Sequence, residues 1–348
     1  MVMLAETTDI QDRSIRAARV TQGLALALAV AGLASIGSGA TGVSLFDMLD
    51  GLSAREALIL WDIRLPRLAM GALVGAALAV SGALMQGLFR NPLADPGIVG
   101  VGAGAGLGAV LAIVLGGLLP ATLGAWIGPQ LVPFAAFLGG WAATIALYRL
   151  ASRGGSVSVA TMLLAGIALG ALAGAVTGVL VYMADDRQLR DLTFWGMGSL
   201  AGASWAKIAA SLPLIVPVLA LSPLLARGLN ALALGEAQAR HIGIDTERLK
   251  RITILGVAAS AGASVAIAGG IGFIGIVVPH LLRLATGPDH RFLLPNAALL
   301  GASLLVLADI FARTLLAPAE LPIGIVTALV GAPVFLWILL QRRGIGGL

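Results

Sequence analysis

An uncharged run from Leu68 to Phe89, bordered by Arg64 and Arg67 before it and Arg90 after it, constrains this chain more than any other feature. An α-helix needs roughly 20 apolar residues to cross a hydrocarbon core of ~30 Å, and a soluble core helix is rarely so long or so uniformly apolar. The run predicts a membrane-spanning helix with charged borders. The same signal recurs near 21–38, 98–119, 131–148, 161–183, 208–226, 252–269, 271–282, 292–308 and 323–341, which predicts about ten spans. The eighth is short before Arg283, carries Gly269, Gly270, Gly272 and Gly275, and is interrupted by Pro279; a broken, re-entrant entrance shared with the seventh is expected.

Only 11% of the residues are charged and 59% are hydrophobic, against roughly one quarter charged in soluble globular domains. The charge-bearing loops reach about 25 to 30 residues, short of the ~50 a domain needs. The chain therefore reads as one all-α polytopic transmembrane domain over residues 1–348. The polar, partly acidic start (Glu6, Asp9, Asp12, Arg13, Arg16, Arg19) does not resemble a cleavable signal peptide, so the first span is expected to stay.

An even number of spans puts both termini on one side. With cytoplasmic termini, Arg13, Arg16, Arg19, Arg90, Arg149, Arg153, Arg227, Arg240, Arg248, Lys250, Arg251, Arg283, Arg291, Arg342 and Arg343 fall inside. Arg55, Arg64, Arg67, Arg187, Arg190, Lys207 and Arg313 fall outside. Fifteen basic residues against seven satisfy the positive-inside rule. Spans 2–5 and 7–10 then run in opposite senses, the parity of an inverted repeat, although the halves share no clear sequence match.

Several chemistries are excluded. No cysteine is present, so disulfides and thiolate sites are ruled out. Neither lysine, Lys207 or Lys250, sits in a Gly-Lys-Ser/Thr phosphate loop, so the chain is not itself a P-loop ATPase. Gly270, Gly272 and Gly275 match GxGxxG inside a membrane run with no preceding strand, which reads as a helix junction rather than a dinucleotide site. The net charge of +5 is scattered over loops, which suits contact with anionic lipid and gives no patch for nucleic acid. His241, His280 and His290 read as core or loop residues, and no metal-ligand set emerges. Asp309, with Arg313 four residues on, is either an ion pair near an interface or a proton-relay carboxylate.

Small-residue stripes recur at Gly166, Gly170, Gly174 and Gly178 and at Gly100, Gly104 and Gly108. They allow either close helix packing or a smooth wall along a path for a bulky ligand.

The motifs together resemble the FecCD-type permease subunits of type II ABC importers for iron chelates, heme and cobalamin. The resemblance covers about Trp61 to Gln341 and is carried by RLPR (64–67), GALMQGLFRNPLADPG (82–97), LLAGIAL (163–169), GEAQARHIGI (235–244), GGIGFIGIVVPHLLR (269–283), DHRFLLP (289–295) and LADIFARTLLAPAELPIGIVTALVGAP (307–333). It implies a homodimer of ten-helix subunits in a bacterial inner membrane, two cytoplasmic ABC ATPases that carry the ATP and Mg, and an external solute-binding protein. No cofactor is expected on this chain.

The resemblance also assigns roles. The segment 227–251, with Gly235, Glu236, Gln238, Arg240, Gly243 and Asp245, is the expected coupling segment that docks on the ATPase. Arg64, Arg67 and Arg313 are expected to receive carboxylates of the binding protein, anchoring in lipid headgroups being the alternative. The turn with Ser156, Ser158, Val159 and Ala160 is the expected inner gate, and Gly166, Gly170 and Gly174 line the expected pathway. GLFRNPLADPG is most similar to the heme-uptake branch; iron-siderophore and cobalamin are the alternatives. An ion-coupled secondary transporter is the competing class, and an intramembrane enzyme lacks a catalytic set.

Overall fold

The computed structural model describes residues 2–39, 53–153 and 156–343. Among the described residues, twelve α-helices of six residues or more follow one another: α1 Val2–Gly37, α2 Leu65–Phe89, α3 Val101–Leu115, α4 Ala121–Ala151, α5 Val159–Met183, α6 Asp186–Gly196, α7 Trp205–Ala233, α8 Glu236–His241, α9 Thr246–Ala268, α10 Ile274–Thr286, α11 His290–Thr314 and α12 Ile323–Arg343. Ten of them coincide with the ten apolar runs. Eight of these, counting the short helical turns that extend α2 and α3, are long and apolar enough to cross a bilayer, while α10 and α12 are shorter apolar helices. The only strand pairing among the described residues is a two-residue antiparallel ladder, Ser152–Arg153 with Ser156–Val157.

Helices outrun the hydropathy signal wherever a cap is available. The second span is extended outward through a π-helical turn, Ile59–Arg64, to a start at Ala54, where Ser53 and Glu56 form a reciprocal capping box. Asp245 begins α9 by accepting from the Arg248 N–H at 2.9 Å, and Asp289 begins α11 by accepting from the Arg291 N–H at 2.9 Å. Burial acts to raise the Asp289 carboxyl, yet hydrogen bonds from Arg291 and Asn230 outweigh it and hold it at about 2. The polar connection between α7 and α9 is consequently shorter than the charge pattern suggests.

The packing carries the inverted repeat that the charges implied. Exchanging α2 with α9, α3 with α10, α4 with α11 and α5 with α12 turns each main pairing among these eight helices into an observed one. Thus α3 packs on α4 as α10 does on α11, α2 on α11 as α9 on α4, and α2 on α10 as α9 on α3. The α2–α9 contact maps onto itself and forms the centre. Close approach at the core depends on glycine: a Cβ on Gly82 of α2 would overlap the Gly275 backbone of α10.

The entrances of the third and eighth spans are both unwound. After Phe89, Arg90 takes a left-handed conformation, and helix resumes fully only at Val101. After Ala268, Gly269 (φ 74°) and Phe273 (φ 68°) bracket an irregular stretch that leads into α10. Irregular backbone inside a membrane must be satisfied by protein. Here the Ser199 N–H donates to the Ala268 carbonyl at 2.8 Å, and Gly324 donates to Met197 at 2.9 Å beside it. The break between spans seven and eight is as the glycine-rich sequence indicated.

Candidate functional site

At the cytoplasmic end, the turn after α7 depends on Gly235, whose φ of 117° is a conformation that side chains rarely adopt. It starts the six-residue α8, which carries Glu236, Gln238 and Arg240, and the chain turns again at Gly243 (φ 84°) before Asp245 caps α9. Ala239 is the buried residue of α8, while Gln238, Arg240 and His241 lie at the surface.

The side chain that organises this end is Lys250, which is 2% exposed. Its Nζ lies 2.9 Å from Glu236 Oε1 and 3.1 Å from Glu247 Oε1. The same ammonium donates to the Val157 carbonyl at 3.2 Å, and Glu247 Oε2 accepts from the Val157 N–H at 2.9 Å. Arg240 adds contacts of 3.2 Å to Glu247 and 3.6 Å to Glu236, and its Nε donates to Thr246 at 2.9 Å. Both backbone groups of Val157, in the turn expected to gate the path, are therefore held by α9 side chains that also hold α8.

The gate turn is built locally as well. Ser156 and Val157 pair with Ser152 and Arg153, and Ser158 caps α5 through the Thr161 N–H at 3.3 Å. Val159 is half-buried and Ala160 is exposed. Sequence reasoning placed Glu247 and Lys250 in the coupling segment without giving them a role. The signal was two opposite charges three residues apart at the start of an apolar run, which fixes a helix face but not the distant Val157.

The two glycine stripes have different surroundings. A Cβ on Gly104 would overlap the Gly139 carbonyl of α4, so the α3 stripe is close helix packing. On α5, added Cβ atoms at Gly170, Gly174 and Gly178 would meet nothing within 4 Å. Gly166 is half-buried, and only Met162 and Leu180 of α5 are fully buried. The α5 stripe faces out of its own subunit.

At the outer end, the three arginines expected to receive carboxylates of the binding protein are buried within this chain. Arg64, Arg67 and Arg313 are 3%, 7% and 7% exposed. Arg67 forks onto Asp309, with Nε–O distances of 2.9 and 3.0 Å, and reaches Glu320 at 2.8 Å. Arg313 donates to the Ser35 carbonyl at 2.8 Å and the Ser38 carbonyl at 3.2 Å, and Arg64 donates to the Ile36 carbonyl. Two of the three thus cap the C-terminal end of α1, where carbonyls lack helical partners and positive charge is favoured. Their acceptors lie far away in sequence, so spacing alone could not reveal them. The expected pair of Asp309 with Arg313 is present at 3.5 Å, but Arg67 is the closer partner. The relay reading of Asp309 therefore loses ground to the ion-pair one.

Comparison with known proteins places this architecture. The sequence model of the FecCD transport family matches residues 27–341. The hemin transport system permease protein HmuU of Yersinia pestis is 47% identical over 92% of this chain and 95% of that protein. The vitamin B12 import system permease protein BtuC of Escherichia coli O9:H4 is 45% identical over 84% of this chain and 87% of that protein. A solved structure, an inward-facing conformation of a metal-chelate type ABC transporter, superposes with a TM-score of 0.82 at 32% identity, covering 93% of this chain and 99% of the other.

Proposed function

This chain belongs to the FecCD transport family and is a multi-pass permease subunit of an ABC importer in a cytoplasmic membrane; on that premise we propose that it conducts heme inward, driven by ATP hydrolysed on a separate ATPase. The observation that carries the mechanical part is the Lys250–Glu247 clamp, which joins the exposed cytoplasmic helix α8 to both backbone groups of Val157.

In this reading the face of α8 with Glu236, Gln238 and Arg240, hinged at Gly235 and Gly243 and ending at Asp245, docks on the ATPase. A six-residue helix with one buried residue is too small to be stable alone and gains from a partner. A displacement of α8 pulls on Glu236 and Arg240, hence on Glu247 and Lys250, and so on the turn from Ser156 to Ala160 at the start of α5. A second copy of the chain faces α5, whose bare stripe at Gly170 and Gly174, continued at Gly166, leaves room for a wide cargo between the two subunits. The chain needs no cofactor for this; the nucleotide and Mg stay on the ATPases.

For the outer face we retain docking of an external solute-binding protein, with a changed geometry. Arg67 is the arginine a partner carboxylate can contest, because its second acceptor, Glu320, keeps a 40% exposed side chain. Arg64 and Arg313 serve it indirectly by holding α1 against the same network.

Heme is favoured over cobalamin and iron-siderophores by the GLFRNPLADPG segment, hemin and vitamin B12 permeases being similar to this chain at nearly equal identity. The test is uptake into liposomes holding the permease, its ATPases and its binding protein, with each cargo offered in turn. Heme uptake that needs ATP is expected; uptake of only cobalamin or a siderophore reassigns the cargo. Charge reversal at Glu236 and Arg240 together is expected to weaken ATPase association while membrane insertion is kept, and unchanged association would remove the docking role of α8.

A further inference from the structure

We propose that the cytoplasmic ends of α2, α7, α10 and α11 form a binding site for a phosphate-bearing anion, either a phospholipid headgroup or free phosphate. These ends surround an open cavity of about 830 Å³. Its wall carries three guanidinium groups, Arg90, Arg283 and Arg291, against a single carboxylate, Asp289. Arg291 and Asp289 cancel one another, with Nη2 2.6 Å from Oδ2. Arg283, on α10, donates to the uncharged Gln86 Oε1 of α2. Arg90 makes no side-chain hydrogen bond or ion pair among the described residues. The wall therefore holds an excess of positive charge that no carboxylate within it balances.

Arg90 stands where the backbone favours another residue. It ends α2 with φ 50°, and left-handed helix ends are usually glycine or asparagine. A charged side chain kept at such a position accepts a conformational cost that its backbone does not explain. The rest of the wall is fixed in advance. Asn230, near the end of α7, accepts at Oδ1 from the His290 N–H at 3.0 Å, with the ring Nδ1 2.8 Å from the same oxygen, and its Nδ2 donates to Asp289 at 2.7 Å. His290 is 5% exposed, and its Nε2, against Gly87 of the same wall, has no hydrogen-bond partner. Buried polar atoms are normally satisfied, so the bonding of this wall is open to one more polar group.

Phosphate is the anion these groups fit. Guanidinium forks bind phosphate oxygens in pairs, and one phosphate held by Arg90 and Arg283 ties α2 to α10, which belong to opposite halves of the inverted repeat. The level in the membrane agrees. Because α2 ends at Phe89, α10 ends at Thr286 and α11 starts at His290, the cavity lies where the spans leave the hydrocarbon on the cytoplasmic side. Basic pockets between helix ends on that side bind anionic headgroups. Leu224 of α7 and Leu284 of α10, 75% and 59% exposed, offer acyl chains an apolar surface within two turns of it. The cavity shares no wall residue with α8 or α5, so the proposal rests on the membrane topology and not on the coupling or cargo assignments.

The experiment measures binding to the full-length permease in two arms. In the first, phosphatidylglycerol retained by the detergent-solubilised permease is counted by native mass spectrometry as its concentration is raised, with phosphatidylcholine as the comparison lipid. In the second, inorganic phosphate is titrated onto the permease in phosphatidylcholine nanodiscs and followed by phosphorus NMR line broadening. Arg90→Gly removes the charge and suits the left-handed turn, so the end of α2 is kept. Loss of a charge-assisted hydrogen bond is expected to weaken binding about tenfold in Arg90→Gly. Arg90→Lys should recover part of it, since the charge returns without the fork, and Arg149→Gln, an exposed arginine away from the cavity, should change nothing. A lipid source shows this pattern in the first arm and free phosphate shows it in the second. Equal binding by wild type and Arg90→Gly in both arms would overturn the proposal, and so would a loss shared by Arg149→Gln, which marks surface charge alone. Neither ATPase nor cargo is present, so those outcomes leave the importer reading untouched.

Discussion

Replacing Lys250 with methionine tests the link between α8 and the gate turn, because the side-chain volume is kept while the ammonium is removed. Three acceptors lose their donor: Glu236 at 2.9 Å, Glu247 at 3.1 Å and the Val157 carbonyl at 3.2 Å. Hydrogen bonds to charged groups contribute about 1.5–3 kcal/mol each when buried. Here the carboxylates are 34% and 23% exposed, and solvent screening lowers each ion pair to at most about 1 kcal/mol. The Val157 bond adds about 1 kcal/mol. The sum, less the cost of burying the ammonium, is a destabilisation of about 2 kcal/mol, roughly thirty-fold in the unfolding equilibrium. Unfolding in mixed micelles, followed by circular dichroism, measures it. The functional readout is heme moved per ATP in proteoliposomes, which is expected to fall several-fold while ATPase association persists, since the exposed face of α8 is unchanged. Unchanged transport per ATP would refute the idea that Val157 receives its motion through Lys250, whatever the stability shows.

Other substitutions follow from the same geometry. Arg67→Met leaves Asp309 buried without its fork and is expected to cost about 3–5 kcal/mol, whereas adding Asp309→Leu recovers most of the loss; equal stabilities of the single and double variants in a micelle unfolding assay would remove the pair from the account. Gly104→Leu should destabilise the isolated chain by several kcal/mol through collision with Gly139, while Gly174→Leu should leave its stability within about 0.5 kcal/mol and instead impair dimerisation or cargo passage. Asp289→Ala removes the cap of α11 and should lower stability by about 1 kcal/mol at neutral pH. Because the folded Asp289 carboxyl is held at about 2, below its unfolded value of ~3.9, that contribution is complete above about pH 4 and fades as pH falls towards 2, which a pH series of unfolding midpoints reads directly.

Hydropathy located ten apolar helices, eight of them long enough to cross a bilayer, because the lipid imposes one requirement on each span independently. The ends were less legible: α7 continues to Ala233 and α9 starts at Thr246, since backbone capping, not apolarity, decides where a helix stops. The inverted repeat was visible only as parity and charge, as its halves share shape and pairing rather than residues. The turns within the segment 227–251 were legible from Gly235 and Gly243, whose positive φ marks real breaks. The acceptors of the outer arginines were not legible. A sequence shows a charge at a membrane border but not its acceptor, and Asp309, Glu320 and the end of α1 come to Arg67, Arg313 and Arg64 only through the fold.

The central claim is that the chain is a conduit moved by ATPases gripping its cytoplasmic face. Heme accumulation in sealed liposomes, measured with the permease and binding protein alone and then with the ATPases and ATP added, tests it most directly. Accumulation against a gradient is predicted only in the complete assembly, and accumulation by the permease without ATPases under an ion gradient would contradict it.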